Sequence, residues 1–392
     1  MRQSAAACRR WRPKDRRAYR DELRQRRVGL TLRSWRLAYA LAVRDALLDL
    51  LVDEELAGVL RRRVFEFVGL PSGLKLAAAS ADGTIRAVDG RSGATDWEAG
   101  VQDRARALSW TRTGALVAAG FDDRIRVVAP DGTVGAGWPH AGLADAVAFS
   151  PRGDLVAVGA ADLTVYASDT GVQLVHVAHG GAIMAVAFSP DGKRVATGSA
   201  DHHLRVIGVA TGAIDAALNH GKLVSLVAWS ACGSYVASGC WDLNLRIVDI
   251  EAGAELMQVA HGHAVSAVAF HPAEDVVATA SFDSFIRIAD FRGSVRARVA
   301  HADWVLSCSW SPGGDRLASA GADGLLRVLR PDGTVLWTLP HPGWVLSIAW
   351  HPTGTKVASG SFDGTLAICD VASGRREASA RLRDSVELLA WF

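Results

Sequence analysis

One period constrains this chain more than any other feature: an aspartate recurs at Asp82, Asp122, Asp162, Asp201, Asp242, Asp283, Asp323 and Asp363. The separations are 40, 40, 39, 41, 41, 40 and 40 residues. The fullest copy of the repeat is Val345–Asp370, VLSIAWHPTGTKVASGSFDGTLAICD. Its apolar run ends in an aromatic, Trp350, and His351–Gly354 form a Pro/Gly turn. A small-residue strand (Val357–Ser361), the aspartate and a third strand (Thr365–Asp370) follow. A fixed period near forty, with three or four short strands per unit, predicts an all-β fold, a β-propeller. Eight aspartate turns predict eight blades. Seven is the alternative, because the upstream strand of the first unit is a poor match, with Gly69 where later units carry an aromatic.

A second marker keeps step with the first. A histidine stands 22 residues before the aspartate in six units: His140, His179, His220, His261, His301 and His341. On these residues the chain resembles WD-repeat proteins, over roughly residues 64–392. The resemblance implies six structural pairs, each histidine bonding the aspartate of its own unit: His140 with Asp162, His179 with Asp201, His220 with Asp242, His261 with Asp283, His301 with Asp323, and His341 with Asp363. The tryptophan of the family's Trp-Asp ending is missing; Val88-Asp89, Val248-Asp249, Ala289-Asp290 and Cys369-Asp370 stand there instead. The hydrogen-bond relay that would end on it is therefore expected to be shorter.

The repeat aromatics are Trp110, Phe149, Phe188, Trp229, Phe270, Trp310 and Trp350, and Trp391 lies on the same phase, 41 residues after Trp350. The last strand, SVELLAWF, thus reads as an inner strand with no partners after it. It is expected to complete the first blade and close the ring, which removes two sheet edges.

Charge is uneven along the chain. Residues 1–36 carry thirteen Arg/Lys against Asp15, Asp21 and Glu22, close to +10, so against a total of +2 the remainder is net acidic. Residues 1–33 read as an arginine-rich arm without an apolar face. Arg9, Arg10, Arg12, Arg16, Arg17, Arg24, Arg26 and Arg27 are its candidates for gripping an anionic partner, RNA or an acidic protein, through planar contacts to phosphate or carboxylate. Residues 34–60 follow as an amphipathic α-helix with Ser34 as N-cap, and residues 61–392 as the propeller. Five cysteines without CxxC or paired spacing read as free thiols of a reducing, intracellular compartment, with the cytoplasm the expected location. No apolar run reaches the length of a membrane span.

Catalytic, cofactor and metal sites are not expected. The phased histidines belong to different units, and HExxH, CxxC and GxSxG are all absent. Aromatics in turns give the sharper expectation. By the resemblance, the residue before each aspartate faces the upper rim, where Phe121, Trp241, Phe282 and Phe362 stand; Trp304 and Trp344 lie three residues after their histidines on the same surface. Large aromatics in turns point to a partner site. The function expected is a non-catalytic protein–protein scaffold within a larger assembly, with an RNA-associated propeller subunit of a ribosomal or RNA-processing particle as the alternative.

Overall fold

The computed structural model describes residues 75–100, 107–110, 116–119, 124–129, 131–135, 137–140, 142, 144–168 and 170–391. The expected arm (1–33) and helix (34–60), together with Phe121 and Asp122, lie outside the described residues. The rest forms eight antiparallel sheets of four strands each. Within a blade the chain runs from inner to outer strand, as in blade 8: Val345–Trp350, Lys356–Ser361, Thr365–Asp370 and Arg376–Arg381.

Inner strands of successive blades touch one another around a closed ring. In order from blade 1 they are Val386–Trp391, Ala107–Trp110, Ala146–Phe149, Ile183–Phe188, Val224–Trp229, Val265–Phe270, Val305–Trp310 and Val345–Trp350. Blade 1 is therefore built from both ends of the repeat array. Its second, third and outer strands are Lys75–Ser80, Thr84–Asp89 and Thr95–Gly100, and its inner strand comes from the C-terminus. Leu76 faces Trp391 and Ala79 faces Leu388 in that pairing. The expected closure is thus present, and the blade count is eight.

The core is divided among the blade interfaces. Each of the eight apolar clusters draws on two neighbouring blades. Between blades 4 and 5, for example, Ala187, Ala196 and Leu204 pack on Val224, Trp229 and Val236. Small residues on the second strands let the next blade approach closely. A Cβ on Gly360 would lie 2.5 Å from Val386 Cγ1, so the closing strand sits against bare backbone there.

The phased aromatics fasten inner strand to inner strand. The indole N–H groups of Trp229, Trp310 and Trp350 donate to the carbonyls of Ala187 (3.1 Å), Ala269 (3.1 Å) and Ser309 (2.9 Å) in the preceding blade. Trp391 does the same to Ala349 at 3.1 Å, so the C-terminal strand carries the full bonding of its class. Where the family's Trp-Asp tryptophan is missing, buried Val88, Val248, Ala289 and Cys369 fill the site. The aspartates beside them cap the next turn: Asp89 Oδ1 accepts from the Arg91 amide at 3.0 Å and the Ser92 amide at 2.7 Å.

Candidate functional site

The upper surface of the ring is made by two loops per blade. One leads into the inner strand and begins at the phased histidine; the other is the aspartate turn between second and third strands. The turn needs a left-handed residue after the aspartate. Gly83, Gly324 and Gly364 supply it in blades 1, 7 and 8, whereas His202, Leu243 and Ser284 are held at φ of 74°, 73° and 69°.

The histidine–aspartate pairs need correction. A direct bond forms in blade 7, where His301 Nδ1 lies 3.0 Å from Asp323 Oδ2. In blades 4, 5 and 6 the Nδ1–H of His179, His220 and His261 donates to the carbonyl two residues back, at 3.0, 3.2 and 3.0 Å. These rings therefore do not bond Asp201, Asp242 or Asp283. In blade 8 a threonine intervenes: His341 Nδ1 donates to Thr365 Oγ1 (3.2 Å), whose hydroxyl donates to Asp363 Oδ1 (2.6 Å). In blade 3, His140 Nδ1 meets the Tyr166 hydroxyl at 2.9 Å, and Asp162 accepts from the His179 amide at 2.9 Å.

The partner shared by five of these histidines is a hydroxyl 18 residues on. Nε2 hydrogen-bonds Thr197, Ser238, Thr279, Ser319 and Ser359 at 3.0, 2.7, 2.8, 2.9 and 2.9 Å. In His179, His220 and His261 the carbonyl can only accept, so Nδ1 carries a hydrogen. Burial, with a nearby arginine second, pushes His220, His261 and His341 down to about 4. Blade 1 replaces both members together. Leu382 takes the histidine's place, its amide donating to the Gly364 carbonyl at 2.8 Å as the His341 amide does to Gly324, and Ala78 takes the place of the hydroxyl. Both are buried in one apolar cluster.

The aspartates turn instead to an arginine four residues on. Arg205 reaches Asp201 at 2.6 Å, Arg246 reaches Asp242 at 2.5 Å and Arg327 reaches Asp323 at 3.1 Å. Arg287 takes both oxygens of Asp283, at 3.1 and 2.6 Å. These arginines stand outside the expected pairs, although Asp-x-x-x-Arg recurs at a fixed spacing in the sequence, with Arg86 and Arg126 on the same phase. The guanidinium also ties neighbouring blades, since Arg86 donates to the Arg381 carbonyl of blade 8 (3.1 Å) and Arg327 to the Ala300 carbonyl of blade 6. Arg287 and Asp283 side chains are each 9% exposed. Arg287→Met is therefore expected to cost about 3–5 kcal/mol by leaving the carboxylate charged and unpaired. Urea unfolding would measure this, and a loss below about 1 kcal/mol would show that solvent already supports the carboxylate.

The same loops carry the aromatic crescent. Phe282 and Trp304 meet edge to face with centroids 5.2 Å apart, Trp304 and Trp344 follow at 6.3 Å, and Trp344 and Phe362 at 6.0 Å. His263 extends the row by packing on Phe282 at 5.8 Å. Loops of blades 6, 7 and 8 thus present one continuous ribbon of rings. Phe282 is 8% exposed and is spent on loop packing, whereas Trp304, Trp344 and Phe362 are half-buried and keep a face toward solvent. Trp241 is half-buried on blade 5 and, among the described residues, makes no ring contact with the row. Phe121 and the eight candidate arginines of the arm lie outside the described residues.

Among the described residues no group of three or more His, Cys, Asp or Glu is placed to hold a metal ion. Cys232, Cys240, Cys308 and Cys369 are free thiols. No helix among them is long and apolar enough to cross a membrane.

Residues 104–370 match the family model described as the IFT122 first beta-propeller. Among solved structures the chain is similar to the crystal structure of the computationally designed Ika8 protein, with 24% identity and a TM-score of 0.70 over 77% of this chain and 95% of that one. At that identity the likeness is one of fold. Comparison with curated proteins gave no match.

Proposed function

The chain belongs to the IFT122 first beta-propeller family, and on that premise we propose that it is a non-catalytic scaffold that holds other protein subunits of a larger assembly through its upper-surface crescent. The observation carrying this reading is the unbroken row of rings from Phe282 to Phe362, which leaves two indoles half-exposed on loops. Loops in water favour polar residues; adjacent tryptophans there fit the aromatic anchors that dominate protein interfaces. The phased histidines support a structural rather than catalytic role, because five of them bond a hydroxyl on the second strand of their own blade and three also tie to the outer strand of the preceding one.

The test is a double substitution, Trp304→Ala with Trp344→Ala, used as bait in native lysate beside the unsubstituted chain. Half of each sample is treated with RNase. Loss of the captured proteins by the double variant, with circular dichroism unchanged and RNase without effect, is the expected result. Capture that survives both tryptophan substitutions removes the crescent from the proposal. Capture that disappears with RNase transfers the function to an RNA-led assembly.

A further inference from the structure

Blade 8 departs from the other blades at two positions around one carboxylate. In blades 4, 6 and 7 the outer oxygen of the aspartate accepts from the amide after the histidine: Gly180 to Asp201 (2.9 Å), Gly262 to Asp283 (2.7 Å) and Ala302 to Asp323 (3.3 Å). In blade 8 that residue is Pro342, which has no amide hydrogen. The second partner is also missing. Six blades carry an arginine four residues after the aspartate, whereas blade 8 carries Ala367. The Thr365 amide (3.1 Å) and hydroxyl (2.6 Å) both donate to Oδ1 of Asp363. Burial raises its pKa, but bonds from Thr365 and Ser361 outweigh it and hold the carboxyl below the usual range, so it is ionised at neutral pH.

This carboxylate lies at the end of the aromatic row. Its neighbour Phe362 packs on Trp344 with centroids 6.0 Å apart, and the Phe362 amide donates to the Trp344 carbonyl at 2.8 Å. Asp363 is half-buried and within reach of solvent. A carboxylate next in the chain to a solvent-facing ring suits a planar cation, which can stack on an aromatic while donating to the carboxylate. The other blades display the fitting group: a guanidinium nitrogen stands 2.6 Å from the outer oxygen of Asp201, 2.5 Å from that of Asp242 and 2.6 Å from that of Asp283. In blades 1 and 7 the same guanidinium also donates to the carbonyl preceding the histidine position, that of Arg381 and of Ala300. The matching carbonyl in blade 8 belongs to Pro340.

We propose that Asp363, with Trp344 and Phe362, forms a receiving site for an arginine side chain of a partner polypeptide, which takes the place that the chain's own arginine fills in neighbouring blades. The proposal rests on the scaffold reading and names the chemistry of one anchor within it. It makes the blade 8 end of the crescent charge-selective, in contrast to the blade 6 end, where Asp283 is already paired with Arg287.

The experiment uses the full chain and a capped pentapeptide with one central arginine between alanines, followed by ligand-observed NMR titration. Replacing that arginine by citrulline, which keeps the shape and removes the charge, is expected to weaken binding about tenfold or more. Asp363→Asn in the protein should give a similar loss, because it removes the charge while leaving the Thr365 bonds possible. Ala367→Arg should also abolish binding by supplying the internal arginine; if that variant fails to fold, Asp363→Asn decides alone. Equal binding of the citrulline peptide, no binding of the arginine peptide, or no effect of Asp363→Asn each overturns the proposal. If the paired tryptophan substitutions abolish protein capture while Asp363→Asn leaves it unchanged, the scaffold reading stands and the arginine site falls.

Discussion

A chain ending at Ser385 is expected to lose its closed ring. The removed strand, Val386–Trp391, buries Val386, Leu388, Leu389 and Trp391 at 0, 2, 1 and 3% exposure. Four such side chains are worth roughly 1.5–3 kcal/mol each in burial, together comparable to the whole stability of an ordinary domain, about 5–15 kcal/mol. Truncation would also expose the Lys75–Ser80 strand as a sheet edge and leave the Ala349 carbonyl without the Trp391 indole. The expected result is loss of the cooperative thermal transition and a shift to aggregated or expanded species in size-exclusion chromatography. A synthetic peptide of residues 385–392 added in trans should restore part of the transition. An unchanged melting curve for the truncated chain would mean that blade 1 does not need its C-terminal strand.

Acid should weaken the ring well before its carboxylates are titrated. His220, His261 and His341 are held neutral at about 4, mainly by burial, against an ordinary value of 6.5. The unfolded chain therefore takes up protons below pH 6.5 that the folded chain refuses until about pH 4. Stability from these groups is fully present above pH 6.5 and is lost as pH falls toward 4, at about 1.4 kcal/mol per pH unit for each histidine. Between pH 6.5 and 5 the three together amount to several kcal/mol by the same arithmetic, of order 2 kcal/mol each. Asp201, lowered to about 2 despite burial by bonds from Gly180 and Arg205, loses its contribution only as pH falls below its ordinary 3.8, outside the histidine window.

Urea unfolding at pH 7.5 and pH 5.0 would measure this loss. The chain supplies its own control, because blade 1 dispenses with the polar pair through Leu382 and Ala78. Introducing that pair into blade 5, as His220→Leu with Ser238→Ala, should remove about a third of the acid sensitivity. Equal stability at the two pH values would show that the histidines are not protected from protons in the way their burial implies.

Much of this molecule is legible in its sequence. The aspartate phase gave the number of blades, and Trp391 on the aromatic phase located the closing strand. Asp-x-x-x-Arg was equally visible but was passed over, because a salt bridge between a turn and the strand after it leaves no mark on hydrophobic patterning. The histidine partners were read less well. The expected carboxylates were displaced by hydroxyls on the adjacent strand and, in blades 4, 5 and 6, by carbonyls two residues back. Ring orientation decides among acceptors that all lie within reach, and spacing along the chain does not encode it.

The sequence by itself determined the architecture, because a repeat places each residue type in the same local environment every forty or so positions and the aspartate and aromatic phases are properties of one strand and its turn. Tertiary structure alone decided which features of the upper surface remain available. Phe282 is buried because Trp304 of the next blade lies on its edge, and the two Thr365 donors converge on a single oxygen of Asp363. Such availability depends on distances between separate loops, which the closed ring sets and a linear period does not contain.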